Sequence, residues 1–293
     1  MKKETIAITG ATGGLGRQIV DNLALKGYDL VFIDRNIEKS KKLANEVIEK
    51  YPGINITFVT VDMMNIGSVK EGIEKLATID FDVLVLNAGV FNVPITKTDI
   101  GHSNVFQVNF ISPYFLAREL VERKKVKKVV AVGSIAHFMT KLDEKDVEFF
   151  KKKSQMKIYG NSKRFLMFSL YEYFKNNKDI KFSIAHPGIT STNMTSHYPK
   201  WINWFIKIML KILFNSPKKA CKSMVEAIET DCDYFEWIGP RCFNIWGNPK
   251  KKKLKIKNKE EIQKIAAIAD DLYKSLKTYL YKYEDVSKFI EKK

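Results

Sequence analysis

Two side chains in the stretch YGNSK are spaced so that they can act on one proton. Tyr159 and Lys163 are four residues apart, which places both on the same face of a helix. A phenol with its usual pKa near 10 is a poor base at neutral pH, but a neighbouring ammonium favours its ionised form and lowers that pKa. The pair predicts a tyrosine that exchanges a proton with a substrate oxygen. Ser134, at the end of a predicted strand, could hold the same oxygen or could cap a helix.

A glycine-rich stretch near the N-terminus predicts the partner for this chemistry. TGATGGLG fits two glycine spacings that share Gly10 and Gly16; one adds Gly14 and the other adds Gly13. Between a strand and a helix, such glycines permit a tight turn and let the backbone approach a pyrophosphate. The amide groups at the helix start then face the phosphates. The stretch predicts dinucleotide binding, and a bound nicotinamide would exchange hydride while the tyrosine moves the proton.

The residues that end the second predicted strand bear on the choice of dinucleotide. Asp34 closes that strand, and a carboxylate there accepts hydrogen bonds from the ribose hydroxyls of NAD. Arg35 follows directly and could pair with the 2′-phosphate of NADP. Asp34 would repel that phosphate, so the sequence favours NAD and leaves NADP open.

Apolar segments that alternate with amphipathic ones must position these side chains. The predicted strands cover residues 5–9, 28–34, 56–62, 81–89 and 126–134. The predicted helices between and after them cover residues 15–26, 38–50, 66–77, about 101–123 and 159–175. This alternation predicts an α/β fold, a doubly wound parallel sheet with helices on both faces. Ligands of such sheets bind beyond the carboxyl ends of the strands.

Three segments interrupt the alternation. Residues 138–157 are charged and predict an inserted loop with a helical piece, and residues 197–216 are rich in tryptophan and other apolar side chains. Residues 250–262 are lysine-rich and polar, and a helix is predicted from about 260 to 283. Without repeats or a low-complexity linker, we expect residues 1–293 to form a single domain. Its predicted parts are a core over 4–195, the apolar segment 197–216 and a helical C-terminal extension over 217–293.

These motifs together resemble the short-chain dehydrogenase/reductase family. The matching pieces follow the family order over residues 4–195 and are TGATGGLG, Asp62, NAG (87–89), Asn109, Ser134, YGNSK and HPGITST (186–192). The resemblance implies a Rossmann fold and an NAD(P)-dependent oxidoreductase that acts on an alcohol or a carbonyl. It favours the glycine spacing through Gly14, so Gly13 is expected to be incidental. A nucleotide-sugar epimerase type of protein, with the other spacing, stays as the alternative.

The resemblance also implies roles for individual residues. Asp62 would contact the adenine, Asn87 would line the cofactor cleft, and Thr192 would bind the nicotinamide carboxamide. Asn109 would anchor a water in a proton relay through Lys163. The other residues expected at the cofactor are Thr12, Leu15, Met63, Ala88, Gly89, Pro187 and Gly188.

Further stretches resemble one group within the family, the retinol dehydrogenase-like and protochlorophyllide reductase-like enzymes. They are residues 96–117, SIAH (134–137), the long gap before YGNSK, and SPKKA (216–220). In this group the long gap holds a substrate-side insertion. The sequence departs from the group at Asp34, where a small residue or a cysteine is usual.

Composition limits the classes of partner. The net charge of +17 is carried mostly by lysine and is spread along the chain, which fits anionic partners or simply a lysine-rich surface. The sequence has no arginine-rich arm and no zinc-finger spacing, so it gives no indication of nucleic-acid binding. The three cysteines lie far apart, which fits a reducing cytoplasm. No signal peptide and no apolar stretch long enough to span a membrane are found in the sequence.

The apolar stretch WINWFIKIMLKILF (201–214) allows three interpretations. As a helix it places Asn203, Lys207 and Lys211 on one stripe and spans about 21 Å, too short to cross a bilayer. It could form a lid over an apolar substrate, lie on a membrane surface with its lysines toward the headgroups, or pack on the body or on a second subunit. The first two imply a hydrophobic aldehyde, ketone or alcohol as substrate.

The remaining candidates have structural interpretations. His137 and His186 are expected to pack inside the protein, and no group of residues has metal-ligand spacing. The predicted C-terminal helix carries an apolar stripe and is expected to dock on the core. A catalytically idle nucleotide-binding protein of the same fold is the alternative to an enzyme, but it predicts damage to the triad, and Ser134, Tyr159 and Lys163 are all present.

Overall fold

One twisted sheet organises the chain. The structure is a computed structural model, and it describes residues 4–188, 216–256 and 258–282 of the 293-residue chain. The strands are β1 (Thr5–Thr9), β2 (Asp29–Asp34), β3 (Ile56–Thr60), β4 (Val83–Leu86), β5 (Lys128–Val132), β6 (Lys181–Ala185), β7 (Glu236–Cys242) and β8 (Trp246–Lys253). They form a sheet in the order β3-β2-β1-β4-β5-β6-β7-β8.

Helices cover both faces of this sheet. They are α1 (Gly14–Leu25), α2 (Ile37–Lys50), α3 (Ile66–Ala77), α4 (Asn104–Phe106), α5 (Ser112–Glu122), α6 (Gln155–Asn176), α7 (Pro217–Glu229) and α8 (Lys259–Tyr281). A π-helical turn, Gln107–Ile111, joins α4 to α5, and a 3₁₀ helix, Ile135–Met139, follows β5. One apolar cluster lies under α3, α5, α6 and α8, and a second lies under α1, α2 and α7 on the opposite face.

The strands from β1 to β6 are parallel, and the order of the sheet reverses between β1 and β4. Ile6 in β1 pairs with Leu30 in β2 on one side and with Val83 in β4 on the other. From β1 the chain crosses to β2 on one side of the sheet, and it later returns to add β4 on the other side. The loops that follow β1 and β4 therefore diverge. This divergence opens a crevice at the carboxyl ends of the strands.

The first five strands and their helices confirm the α/β prediction, with small differences at the ends. β4 ends at Leu86, so NAG (87–89) lies in a loop rather than in the strand. The helix predicted over 101–123 is divided by the π-helical turn. The predicted insertion, residues 138–157, is mostly turns, and its last residues already belong to α6. Of the apolar segment 197–216, only Ser216 lies within the described residues, where it caps α7.

The C-terminal extension, residues 217–293, is not wholly helical as predicted, because it contains β7 and β8. The lysines at 250–253 end β8, an edge strand that runs antiparallel to β7. The sheet is therefore not wholly parallel. Sequence pattern gave no sign of this strand because no residue in β8 is buried. Lysines and a proline are typical of edge strands, where they prevent pairing with another chain.

The C-terminal helix docks on the body, as its apolar stripe predicts. Its buried residues are Ile262, Ile265, Ala269, Tyr273 and Leu276. On the same side, the guanidinium of Arg118 in α5 lies 3.8 Å from the Tyr273 ring centroid and 2.6 Å from Asp270. Cation–π contact and ion pairing thus add to apolar burial in holding α8 against α5.

Candidate active site

A cleft of about 420 Å³ opens at the carboxyl ends of the strands, at the reversal between β1 and β4. Four groups of residues line it, from the glycine turn, the ends of β2 and β3, the loop after β4, and α6. Among the predicted residues it brings together Gly10, Thr12, Gly14, Leu15, Gly16, Asp34, Arg35, Asp62, Met63, Asn87, Ala88, Gly89, Tyr159, Lys163 and Pro187. The fold therefore gathers residues that are widely separated in the chain.

The glycine turn is too tight for side chains at two positions. Gly10 has a φ of +69°, and a Cβ there would lie 3.1 Å from the Ala88 backbone. A Cβ at Gly16 would lie 2.1 Å from the carbonyl oxygen of Gly10, closer than any real contact. A Cβ at Gly13 would meet the same oxygen at 3.3 Å, which a small shift can relieve. Gly10 and Gly16, which both spacings share, are thus the two positions at which the backbone leaves no room for a side chain.

The start of α1 offers uncapped amide groups to the cleft. Its N-cap is Gly13, which supplies no side-chain hydrogen bond. By contrast, α2, α3, α6, α7 and α8 each begin with a side-chain cap, for example Asn36 on α2 and Asn65 on α3. Unpaired amides and the positive end of a helix favour an anion. Gly13 is therefore not incidental, because it caps α1 and lines the cleft.

Polar contacts fix the loop after β4 against the glycine turn. The Asn87 side-chain amide donates to the carbonyl oxygens of Thr9 and Gly10, each at 3.0 Å. The Thr9 hydroxyl accepts from the backbone N–H groups of Asn87 and Ala88, each at 2.9 Å. Asn87 thus lines the cleft, as the family resemblance implies, and it also braces the turn that would hold a pyrophosphate.

Asp34 lies at the end of β2 with most of its carboxylate covered. One carboxylate oxygen accepts from the Thr12 hydroxyl at 2.9 Å, and the other accepts from the Ser40 hydroxyl at 3.2 Å. Burial raises the pKa of this carboxyl, while the Thr12 and Ser40 hydrogen bonds oppose the change. Arg35 is exposed at the rim and makes no ion pair with any residue in the described ranges. Both candidates for cofactor selection therefore line the cleft.

The end of β3 contributes the opposite wall. The Asp62 carboxylate accepts from the Met64 backbone N–H at 2.9 Å, and the Asp62 backbone N–H donates to the Ser68 hydroxyl oxygen at 3.0 Å. The Met63 carbonyl oxygen accepts from the Ser112 hydroxyl at 2.7 Å. These contacts fix the turn that carries both predicted residues along the cleft wall.

Tyr159 lines the cleft, and Ser134 lies close to it. Burial raises the pKa of the Tyr159 phenol, and the Ser134 side chain opposes the rise. The Ser134 hydroxyl oxygen also accepts from the Ala136 backbone N–H at 3.2 Å, so this serine caps the 3₁₀ helix. The Phe91 ring packs edge-on against Tyr159, with centroids 5.1 Å apart. The lowered pKa that the sequence predicted is thus not produced by the protein's own groups. The positive charge of an oxidised nicotinamide bound beside Tyr159 would lower the pKa of the phenol.

Lys163 lies one helical turn after Tyr159 and is buried. Its ammonium donates to the Val132 carbonyl oxygen at 2.8 Å and lies 6.0 Å from the centroid of the Tyr159 ring. Burial lowers its pKa to about 8. A Cβ at Gly89 would lie 3.6 Å from this ammonium, so the glycine keeps the space beside it open to the cleft.

Asn109 lies in the π-helical turn, and its side chain is already engaged. Its side-chain oxygen accepts from the Val90 backbone N–H at 2.7 Å, and its amide donates to the Val90 carbonyl oxygen at 2.9 Å and to the Ser162 hydroxyl at 3.0 Å. The residue four positions later is Pro113, which has no N–H to give the Asn109 carbonyl in an α-helix. The side chain thus positions the loop after β4.

Beyond β6, the described chain places part of HPGITST. Pro187 lines the cleft, and Gly188 has a φ of +81°. The Gly188 backbone N–H donates to Nδ1 of His186 at 3.1 Å, while Nε2 of His186 contacts the Asn244 carbonyl oxygen at 2.7 Å. His186 is thus structural, as expected. Thr192 lies outside the described residues.

His137 is buried among aromatic rings, as expected for a packing residue. Its Nδ1 lies 2.5 Å from the Ser134 carbonyl oxygen, and its ring contacts Phe138 and Trp237. Burial lowers its pKa to about 4. The imidazole is therefore neutral at physiological pH and supports the loop that carries Ser134.

Sequence reasoning missed several residues that complete the site. Phe91 is the second residue after NAG, and Ser162 lies inside YGNSK, so motif-based analysis could have found both. Val132 contributes through its backbone carbonyl, which carries no side-chain signal. Within residues 4–188, 216–256 and 258–282, no group of histidine, cysteine or acidic residues could hold a metal ion. In those ranges no helix is long and apolar enough to cross a bilayer.

The cleft has the features that a dinucleotide needs. The tight glycine turn, the uncapped start of α1 and a polar far wall suit a pyrophosphate and its riboses. A phenol and a serine hydroxyl at the inner end suit a substrate oxygen. The arrangement can bind a nicotinamide dinucleotide and move one proton next to its reactive ring.

Comparison with known proteins agrees with this geometry. A family model described as short chain dehydrogenase matches residues 4–203. A human polyprenol dehydrogenase is 24% identical over 76% of this chain and 72% of its own length. A mouse retinol dehydrogenase 13 is 25% identical over 75% of this chain and 69% of its own length.

Solved structures share the fold. A protein from Mycobacterium paratuberculosis superposes with a TM-score of 0.72 at 21% identity, covering 92% of this chain and 93% of its own. A short-chain dehydrogenase from Sphingobium yanoikuyae in complex with NADPH superposes with a TM-score of 0.58 at 20% identity, covering 77% of this chain and 84% of its own. These likenesses support the architecture described above.

Proposed function

The chain belongs to the short-chain dehydrogenase family, and we propose that it moves hydride between a nicotinamide cofactor and an apolar carbonyl or alcohol, with Tyr159 as the general acid and base. An enzyme of this family is a dehydrogenase or reductase that uses NAD(P). The observation that carries the assignment of Tyr159 is the position of its side chain on the wall of the cleft, with Ser134 close enough to affect the pKa of the phenol. The two hydroxyls can both reach one substrate oxygen there.

The proposed chemistry needs one proton for each hydride. When bound, a reduced nicotinamide would supply the hydride for the carbonyl carbon, which would leave negative charge on the carbonyl oxygen. Tyr159 donates its phenolic proton to that oxygen while Ser134 stabilises it with a hydrogen bond. In the oxidation direction, the Tyr159 phenolate takes the proton back. Lys163, whose pKa burial lowers to about 8, is in this proposal the group that returns a proton toward Tyr159.

Lys163 and Asn109 provide a route by which Tyr159 can regain its proton. The Lys163 ammonium and the Asn109 side-chain oxygen both lie near Gly89, at 3.6 and 3.1 Å from the position that a Cβ would take there. A water on the Asn109 backbone carbonyl could therefore reach the ammonium. In this proposal the Asn109 side chain positions the loop after β4, and its carbonyl holds the water.

For the cofactor, we favour NAD over NADP because of Asp34. Its carboxylate, held by Thr12 and Ser40, stands at the end of β2 where the adenosine ribose of a dinucleotide would lie. A 2′-phosphate would meet this negative charge and would also meet the exposed guanidinium of Arg35. NADP use therefore depends on whether Arg35 outweighs Asp34.

Apolar groups near Tyr159 support a hydrophobic substrate. Phe91 packs on Tyr159, and Phe138 and Met139, which follow Ser134 by a few residues, are 43% and 60% exposed. The matched relatives are a polyprenol and a retinol dehydrogenase, whose names denote long apolar alcohols. The segment 201–214 lies outside the described residues, and its roles as a lid, a membrane contact or a contact with a second subunit stay predictions. A cytoplasmic location, with or without membrane association, likewise stays a prediction.

The direct test is a screen of apolar aldehydes, ketones and alcohols with NADH, NADPH and their oxidised forms. Absorbance of the reduced nicotinamide reports turnover, and the Tyr159→Phe variant is run beside the wild type. We expect turnover with long-chain or polycyclic apolar substrates that exceeds turnover with their short, polar counterparts. Cofactor binding without turnover of any such compound would contradict the proposal, as would equal turnover by the two proteins.

A further inference from the structure

The β7–β8 hairpin ends in two large aromatic side chains that face solvent. Phe243 is 84% exposed and Trp246 is 43% exposed, and their ring centroids lie 6.4 Å apart. Single exposed apolar residues are common on proteins. Two neighbouring rings at the projecting end of an edge hairpin form a larger apolar surface, and removing that surface from water would be favourable.

The backbone at this tip is strained in order to present the ring. Phe243 has a φ of 49° and the following Asn244 has a φ of 59°. Asparagine tolerates this left-handed region, but a bulky residue such as phenylalanine pays a steric cost there. Asparagine or glycine would serve the turn better than Phe243 does. A strained residue whose side chain packs on little of its own protein points to a role outside the fold.

Hydrogen bonds hold the tip in one arrangement. Lys252 donates to the carbonyl oxygens of Pro240 and Arg241 at 2.8 and 3.1 Å, and to the Asn244 side-chain oxygen at 2.7 Å. The Asn244 carbonyl oxygen also contacts His186 at 2.7 Å. The aromatic pair is therefore presented by a braced turn, which lowers the entropy that binding would cost.

Uncompensated positive charge lies behind the aromatic pair. Arg241, Lys250, Lys253 and Lys255 are exposed, and none makes an ion pair with a residue of the described ranges. Lys251, also in β8, differs from them because its ammonium lies 3.8 Å from the Glu236 carboxylate. Lys250 is four residues after Trp246 in β8, which is about 13 Å along an extended strand. The hairpin thus has an apolar end, formed by Phe243 and Trp246, and basic residues behind it. This arrangement is complementary to a surface with negative charge at its exterior and an apolar layer below.

We propose that Phe243 and Trp246 insert into the interfacial layer of an anionic membrane, with Arg241 and the exposed lysines of β8 against its headgroups. Tryptophan and phenylalanine favour the depth between headgroups and acyl chains, and lysines near an anionic leaflet add attraction. Single-stranded nucleic acid fits less well. Its bases stack on platforms within a groove, whereas these rings lie 65° from parallel on a projecting tip.

This surface is connected to the cleft. The tip contacts His186, and the next residue, Pro187, lines the cleft. Docking of the hairpin would therefore bring that wall of the cleft close to lipid, where an apolar substrate dissolves. This consequence for the substrate rests on the proposed function, but the membrane contact itself does not, and it is tested without turnover.

The test is co-sedimentation of the full chain with vesicles of phosphatidylcholine, with or without phosphatidylserine. We expect binding to the anionic vesicles that weakens with added salt. Phe243→Asn and Trp246→Ser should each lower the partition coefficient roughly tenfold or more, and Lys250→Gln with Lys253→Gln should lower it roughly tenfold. Phe243→Asn should leave the thermal midpoint unchanged or higher, because asparagine relieves the strain. If Phe243 instead had a structural role, the Phe243→Asn variant would have a lower thermal midpoint than the wild type.

Matched controls come from exposed residues elsewhere in the fold. Tyr279→Ser on α8 removes an aromatic ring that is 61% exposed, and Lys39→Gln with Lys42→Gln removes two exposed charges from α2. Both should bind vesicles as the wild type does. Hairpin variants that bind like the wild type would overturn the proposal, and so would binding to a single-stranded oligonucleotide that competes fully with the vesicles. Failure of the enzymatic screen would leave this result unaffected.

Discussion

The turn between β1 and α1 and the tip between β7 and β8 both contain residues with positive φ, and they differ in what occupies them. In the first turn, the residue with a φ of +69° is Gly10, which pays no steric cost. At the hairpin tip, Phe243 and Asn244 adopt similar angles with side chains present. The first turn is relaxed and closely packed around a cleft. The second is strained, and it exposes an aromatic ring.

This difference shows how two kinds of surface become visible in a sequence. A backbone that must approach a ligand requires glycines, and their spacing is visible in TGATGGLG. A surface that acts through exposed side chains on an edge strand leaves no periodic apolar pattern. Mutations in the cleft beside the glycine turn should therefore affect mainly cofactor binding and turnover. Mutations in the C-terminal part should affect mainly stability or membrane association. The predictions below test that separation, beginning with the largest expected effect.

Replacing Tyr159 with phenylalanine should reduce kcat by about 10²–10⁴-fold, because the proton donor is lost while the cleft is kept. The affinity for NAD(P), measured by fluorescence titration, should change little. Tyr279→Phe, which removes a hydroxyl from an exposed ring of α8, is the matched control and should turn over like the wild type. Wild-type kcat in Tyr159→Phe would refute the role of the phenol.

Glu261→Gln should show the opposite profile, a loss of stability with retained chemistry. The Glu261 carboxylate receives two bonds from the Arg164 guanidinium, at 3.1 and 2.7 Å, and one from the Leu142 backbone N–H at 2.6 Å. Removing its charge leaves a nearly buried guanidinium uncompensated, which costs about 3 kcal/mol. Urea unfolding measures this change in the free energy of unfolding.

The exposed ion pair of the same helix supplies the control for Glu261. Lys264 and Glu144 lie 2.7 Å apart with side chains 48% and 63% exposed, so Lys264→Gln should cost less than about 1 kcal/mol. Equal losses in the two variants would show that burial of the Arg164–Glu261 pair does not govern the attachment of α8.

Gly16→Ala should weaken both cofactor binding and stability, because a Cβ at 2.1 Å from the Gly10 carbonyl oxygen forces the turn apart. Overpacking of this kind costs about 1–3 kcal/mol. Gly13→Ala, with 3.3 Å to the same oxygen, should be milder in both measurements. If the two variants lose cofactor affinity equally, the tightness of the turn is not what selects its glycines.

Asp34→Ala should shift the ratio of kcat/KM for NADP over NAD upward by roughly tenfold, since the charge that repels a 2′-phosphate is gone. Ser40→Ala removes one hydrogen bond to the carboxylate but keeps its charge, so the ratio should move little. An unchanged ratio in Asp34→Ala would remove this residue as the selector and leave Arg35.

Most of the central sheet and the placement of Tyr159 and Lys163 on one helix face could be predicted from sequence, for physical reasons. Buried parallel strands are short apolar runs, and the helices between them have one apolar face, so β1 to β5 were recognised. Tyr159 and Lys163 share a helix, and spacing alone places them on one face. Neither prediction needed contacts between distant parts of the chain.

The rest depended on tertiary contacts that spacing does not encode. The bond from Lys163 to the Val132 carbonyl joins α6 to β5, and the raised pKa of Tyr159 follows from burial that only the folded chain creates. The π-helical turn at Asn109 and the strand β8, where no apolar alternation exists, have no local pattern that would reveal them.

A crystal structure with oxidised nicotinamide cofactor would test the central claim most directly. The account predicts a pyrophosphate against the uncapped amides of α1, and a nicotinamide ring that lies beside the hydroxyl groups of Tyr159 and Ser134. A cofactor bound outside the cleft, or a Tyr159 hydroxyl turned away from the nicotinamide and from Ser134, would contradict it.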